Sequence, residues 1–350
     1  MRVQGGVRGA ARFGGWLSAR RWCAAVVAVA VGGMPLVTAA HAPVTVRYRV
    51  TRTIHVGGLP YAVAVDSAAR TVYVANRAND TVSVIDAATG TVTRTIPVGS
   101  GPSGIAVDSA ARTVYVANAG DDTVSVIDAT TGTVTRTIPV GSGPSGIAVD
   151  SAARIVYVSN EFGDTVSVID AATGTVTGTI PVGPYPFGVA VDTAAHTVYV
   201  ANADFGSNGG DGGDSTVSVI DAATGTVTRT IPVGDGPGWV AVDPTAHTVY
   251  VTDYGGGTVS VIDAATGSVT GTIPVGAYPF GVAVDTAAHT VYVSNFGGNT
   301  VSVIDGATST VTATISVGSY PEGVAADPGT RTAYVANDGG NSVSMISRCM

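Results

Sequence analysis

From about residue 50 onward the chain alternates short apolar runs with polar punctuation, and the alternation itself repeats. One run, TVYVAN at 71–76, returns as TVYVAN at 113–118, IVYVSN at 155–160, TVYVAN at 197–202, TVYVTD at 248–253, TVYVSN at 290–295 and TAYVAN at 332–337. Counted from tyrosine to tyrosine, the steps are 42, 42, 42, 51, 42 and 42 residues. The second copy shows the whole unit: SGIAVD (103–108), TVYVAN (113–118), TVSVID (123–128) and TVTRTIPV (133–140), separated by SAAR, AGDD and ATTG. Short runs rich in Val, Thr, Ile and Tyr and bounded by Asp, Asn and Gly read as strands. Four such strands in a period of about 40 residues predict a propeller of four-stranded antiparallel blades.

The first three runs carry almost no charge, as expected when both faces of a sheet are covered. The fourth alternates Val134, Arg136 and Ile138 with threonine and ends in Pro139, with equivalents at Pro97, Pro181, Pro232 and Pro274. Proline lacks the ladder donor and belongs on an edge, so the fourth run is the outer rim of each blade. The last repeat stops at MIS (345–347) before any fourth run, whereas TIHVG at 53–57 precedes the first and aligns with TIPVG at 95–99. The two ends therefore complete one blade: residues 49–56 are expected to pair beside 342–347 and close a seven-bladed all-β ring, hiding two edges that would otherwise invite aggregation.

On the YVAN, TVSVID and TIPVG segments, across nearly all of 53–347, the chain resembles the YVTN family of β-propeller repeats. The resemblance implies an exported or cell-surface propeller, akin to surface-layer proteins and to relatives of the quinoprotein amine dehydrogenase superfamily. Most members have no assigned reaction, so the resemblance speaks to fold and location more than to chemistry.

Residues 1–40 hold five arginines, no Asp or Glu, an apolar run from Trp22 to Val31 and a small-residue stretch ending at Ala40. This reads as an export signal cleaved after Ala39 or Ala40. An uncleaved anchor is the alternative, though Gly32, Gly33 and Pro35 interrupt the apolar span, and Arg20-Arg21 leaves a twin-arginine route open. The expected organisation is a signal at 1–40 and a single propeller domain at 41–350, with an insertion at 204–214. The destination is extracytoplasmic: secreted, periplasmic or on the cell surface. All 17 basic residues other than histidine are arginine, and without the leader 12 face 25 carboxylates, a net charge of −13. Such a surface argues against nucleic acid as a partner and against membrane insertion after cleavage, and a monomer is expected. Of the two cysteines Cys23 lies in the leader, which leaves Cys349 alone and no disulfide.

Polar residues that repeat in every blade are read as structural. Asp66 and its counterparts close the first strands, Asp86 and its counterparts close the third, and each is placed to accept backbone N–H groups in the following turn. His196, His247 and His289 occupy the turn position held elsewhere by Arg70, Arg112, Arg154 and Arg331, which makes them turn cations rather than zinc ligands.

Function has to come from positions that break the symmetry. The connection into each inner strand reads Leu59-Pro-Tyr61, Gly101-Pro-Ser103, Gly143-Pro-Ser145, Tyr185-Pro-Phe187, Gly236-Pro-Gly-Trp239, Tyr278-Pro-Phe280 and Tyr320-Pro-Glu322. The loops between second and third strands add Phe162, Phe205, Tyr254 and Phe296 on the same face, with many carboxylates, among them Asp80, Asp122, Glu161, Asp164 and Asp338. Aromatic side chains bring large contact area at low entropic cost. They either bind a ligand or plug the channel mouth. Tyr185, Phe187, Trp239, Tyr278, Phe280, Tyr320 and Glu322 are the candidate ligand-binding residues. The partner class is an unidentified cell-surface glycan, peptide or protein. GGDGGD at 209–214 resembles one turn of a calcium-binding glycine repeat, so Asp211 and Asp214 are candidate calcium ligands; no other cofactor is expected. No catalytic residue is assigned, because neither a Gly-x-Ser-x-Gly elbow nor a nucleophile–base pair is visible. A binding or scaffold module is the favoured reading. The alternative is a propeller enzyme, lactonase-, lyase- or quinoprotein dehydrogenase-like, with its site at the central channel.

Overall fold

The structure, a computed structural model, describes residues 47–203 and 215–349. The leader and the proposed calcium ligands Asp211 and Asp214 lie outside them. Among the described residues every long element is a strand, and the strands form seven four-stranded antiparallel sheets. Blade 1 comprises Pro60–Asp66, Thr71–Asn76, Thr81–Asp86 and Thr91–Pro97 in that spatial order, and blades 2 to 6 repeat it from Pro102, Pro144, Pro186, Pro237 and Pro279. Blade 7 is built from Pro321–Asp327, Thr332–Asn337 and Ser342–Cys349, with Arg47–His55 as its outermost strand. The expected seam is thus present. Arg49 pairs with Ser347 and His55 with Ser342, and one bulge lies between Val50 and Arg52. Each inner strand lies against the inner strands of both neighbouring blades, including Pro321–Asp327 against Pro60–Asp66, so the ring is closed.

The apolar core lies between blades. The second-strand tyrosines Tyr73, Tyr115, Tyr157, Tyr199, Tyr250, Tyr292 and Tyr334 are buried, and each reaches the next blade; Tyr115, for example, packs with Ile147, Val156, Val158 and Ile169. Fourth strands are exposed except at one isoleucine, Ile96 in blade 1 and Ile54 in the closing strand. Their register differs from simple alternation. Val126 pairs with Arg136 but Ile127 pairs with Val134, so Thr135 is an extra residue whose hydroxyl donates back to the Val126 carbonyl at 3.2 Å. The bulge leaves Val134 and Arg136 both outside, and frees the arginine to donate to the Thr173 carbonyl in the next blade.

The repeated polar residues take the structural places expected of them. Asp86 Oδ1 accepts the N–H groups of Ala88 (2.8 Å) and Thr89 (2.9 Å), and these bonds hold its carboxyl below the usual carboxylate range. His196, His247 and His289 share the left-handed backbone of Arg70, Arg112, Arg154 and Arg331, and His289 Nδ1 lies 2.7 Å from Asp243 Oδ2 of the neighbouring blade.

Candidate functional site

Two connections per blade are locked together by main-chain groups. The residue before each inner-strand proline (Leu59, Gly101, Gly143, Tyr185, Gly236, Tyr278, Tyr320) is left-handed, with φ between 48 and 63°. Its carbonyl accepts the N–H of the residue that follows the second strand, at 2.9–3.0 Å in all seven blades. In five blades an Asp or Asn side chain from the preceding blade secures the same turn. Asp80 Oδ1 accepts from Gly101 N at 2.8 Å, Asp122 from Gly143 at 2.7 Å, Asp164 from Tyr185 at 3.0 Å, Asn299 from Tyr320 at 2.8 Å and Asn341 from Leu59 at 3.0 Å. Three carboxylates of the acidic loop face are therefore turn latches.

On this fixed frame two positions per blade are free to vary. One follows the inner-strand proline: Tyr61, Ser103, Ser145, Phe187, Gly238, Phe280 and Glu322. The other follows the second strand: Arg77, Ala119, Glu161, Ala203, Tyr254, Phe296 and Asp338. A cavity of ≈ 360 Å³ opens where the bulky members meet, lined by Tyr61, Arg77, Phe187, Ala203, Gly236, Gly238, Tyr254, Phe280, Phe296 and Glu322. All but Gly236 come from those two positions. Phe280 is the hub, with ring centroids 5.6 Å from Tyr61, 6.0 Å from Phe187, 6.2 Å from Trp239 and 6.4 Å from Tyr254, most of them edge-to-face.

Blade 5 departs from its sisters. The second residue after the proline is glycine in five blades because the next inner strand comes too close for a Cβ: one built on Gly104 would lie 2.2 Å from the Ser145 carbonyl oxygen, and one on Gly281 2.5 Å from that of Glu322. Here the order is exchanged, with Gly238 before Trp239. Thr252 Oγ1 accepts the Trp239 N–H (2.9 Å) and donates to the Phe280 carbonyl (2.7 Å), bridging the two inner strands. Trp239 is thereby held against Phe280, partly buried, its indole Nε1 buried without an acceptor.

The wall holds one deeply placed carboxyl. Glu322 is 8% exposed and its Oε2 has no hydrogen-bond partner. Burial, reinforced by the charge of Asp338 and opposed by Arg77, raises its pKa to about 8. Burial also raises Glu161 and Asp338, again against the pull of Arg77. The Arg77 guanidinium lies over the Tyr61 ring, 5.0 Å from its centroid.

Of the residues expected from sequence, Phe187, Phe280 and Glu322 come together in the cavity wall, and Trp239 stands behind Phe280. Tyr185, Tyr278 and Tyr320 stay outside it, exposed around the mouth. Tyr278 lies 5.0 Å from Tyr254 and Tyr320 stacks on Phe296 at 5.1 Å. A left-handed tyrosine costs about 1 kcal/mol, which glycine avoids at the same position in blades 2, 3 and 5. Tyr61, Tyr254 and Phe296, aromatics the sequence also places on this face, complete the wall. Arg77 escaped sequence reasoning; reading down the column of residues after the second strand, where it is the one cation, would have found it.

Fold and cavity together define a seven-bladed propeller with an aromatic pocket at one mouth of its channel. Residues 56–147, from the end of the closing strand into blade 3, match the model of the YNCE-like β-propeller family. No curated protein matches the sequence. Among solved structures, a chain of Kuenenia stuttgartiensis hydrazine synthase is similar in fold, with a TM-score of 0.74 and 22% identity over 82% of this chain and 95% of that one.

Proposed function

We propose that this chain is an exported, YVTN-type propeller that works as a binding module and holds its ligand in the aromatic pocket at the channel mouth. The observation that carries the reading is the convergence of Tyr61, Phe187, Tyr254, Phe280 and Phe296 on one cavity, from positions where blades 2 and 3 carry only small side chains or Glu161. Cavities of a few hundred Å³ with aromatic walls and a few polar groups are the usual form of small-ligand sites. The basic, acid-free leader supports export, and a cell-surface glycan, peptide or protein segment is the partner class that location favours. The catalytic alternative rests on Glu322 alone.

Trp239 is the only tryptophan after residue 22, and its contact with Phe280 makes its fluorescence a reporter of the cavity. Titration with muropeptides and surface-protein peptides should reveal a ligand whose affinity falls at least tenfold in Phe280→Ala and Tyr254→Ala, the loss expected of buried aromatic anchors. Ser103→Ala should leave affinity unchanged, because that hydroxyl is buried and donates to the Pro144 carbonyl at 2.7 Å. A ligand that ignores both aromatic substitutions, or is lost in the serine variant, would place binding elsewhere.

A further inference from the structure

Resting on that binding reading, we propose that the pocket takes an organic cation: an ammonium group on an apolar body, seated among Tyr61, Phe187, Tyr254, Phe280 and Phe296 with its charge on Glu322. Three features of the wall point to this class. The lining is mostly aromatic, and the face of an aromatic ring attracts a cation within about 6 Å of its centroid. The protein already uses that attraction in the same wall, where Arg77 lies over Tyr61. The cavity wall also holds a carboxyl, Glu322, more than nine-tenths buried and with an oxygen that no group satisfies. An ammonium would supply the countercharge that this carboxyl lacks when it ionises. An anion would meet Glu322, Asp338 and Glu161 around a single guanidinium, and a neutral ligand would leave the Glu322 charge uncompensated whenever it ionises.

The groups facing Glu322 are Asp338 from its own blade, Arg77 and Tyr61 from blade 1, and Tyr254 from blade 5. Burial raises both tyrosine hydroxyls, so they stay neutral, and the carboxyls and Arg77 set the field. At pH 7 the Glu322 carboxyl is mostly protonated, since its pKa is about 8. A cation entering must displace that proton into solvent. Affinity therefore rises with pH until Glu322 is ionised in the free protein and then levels off.

Choline tests this cleanly, because its charge does not depend on pH; 3,3-dimethylbutan-1-ol is its neutral isostere and 3,3-dimethylbutanoate an anionic one. Followed by Trp239 fluorescence and calorimetry, choline should bind at least tenfold more tightly than either analogue at pH 8.5. Its affinity should fall about tenfold by pH 7, as the ionised fraction of Glu322 falls. Glu322→Gln should abolish the pH slope and shrink the charge preference to what the aromatic faces alone supply, and a thermal melt of that variant reports whether the blade is intact. The wild-type pH slope stands as a test without any variant. Equal binding of choline and the alcohol, tighter binding of the butanoate, or a slope that survives in Glu322→Gln would overturn the cation assignment and leave the binding reading standing. If only a glycan or uncharged peptide binds at Phe280, the cation again falls alone. If no surface ligand and no probe perturbs Trp239, both fall together.

Discussion

Removal of residues 47–56 is expected to abolish the folded monomer. The closing strand contributes the whole outer ladder of blade 7, from Arg47 opposite Cys349 to His55 opposite Ser342, and the Val56 N–H donates to the Asn341 carbonyl at 3.0 Å. It also contributes side chains to two inter-blade cores: Ile54, 5% exposed, packs with Val63, Val72, Tyr334 and Val343, while Tyr48 meets Tyr292 edge-to-face at 6.2 Å. Half a dozen ladder bonds at about 1 kcal/mol each, with two large side chains at about 2 kcal/mol each, come to roughly 10 kcal/mol as an upper figure. That is comparable with the entire stability of a typical domain. The deletion would also bare the edge of Ser342–Cys349, an invitation to pair with another chain. Size-exclusion chromatography should show aggregates and calorimetry no cooperative transition. A truncated protein that stays monomeric and melts at the wild-type temperature would mean that the ring does not depend on this seam.

Replacing Asp253 by asparagine is expected to stabilise the protein at neutral pH. In the other six blades the corresponding residue is asparagine, whose Nδ2 donates to two hydroxyls, as Asn76 does to Thr81 (3.1 Å) and Ser83 (3.0 Å). Blade 5 reverses these bonds, with Thr258 (2.7 Å) and Ser260 (2.9 Å) donating to the buried Asp253 carboxylate. Burial raises its pKa to about 6; the Thr258 and Ser260 hydroxyls and the Gly234 N–H oppose the shift, and Asp235 adds to it. The folded protein therefore holds a proton that the unfolded chain releases. Below the ordinary pKa of about 4 the position costs nothing by this route; between about pH 4 and 6 the cost grows, and above that it is constant at roughly 2–3 kcal/mol. Asp253→Asn should raise the melting temperature at pH 7 by about 5 °C and leave it unchanged at pH 4. An equal gain at both pH values would trace the effect to packing rather than to charge.

The blade is legible in the sequence because its determinants are local and repeated. Tyr73 and its six copies mark the inter-blade core, Asp86 and its copies mark the turns, and TIHVG at 53–57 announces the seam by aligning with a fourth strand. The bulge at Thr135 is less legible, since it depends on pairing with Val126 and Ile127 rather than on the strand's own pattern. The site is legible only in part. Phe187 and Phe280 stand in a column of equivalent residues that reveals their direction, whereas the exchange of Gly238 and Trp239 shifts the indole one place along the strand and behind the wall. Charge misleads most: Asp80, Asp122 and Asp164 look like part of an acidic binding face, and backbone N–H groups across the next turn claim them instead.

The main-chain lock between the two connections has an evolutionary corollary. Because carbonyl and amide hold each loop pair in the same shape whatever side chains they bear, the residues after the proline and after the second strand can mutate without disturbing the frame. The mouth of the channel is in effect a keyboard with two keys per blade, each changed by a single codon. In blades 2 and 3 three of the four keys hold only serine or alanine, so this half of the ring is where new specificity could be written, by drift or by an engineer's library, while the aromatic half keeps its present wall.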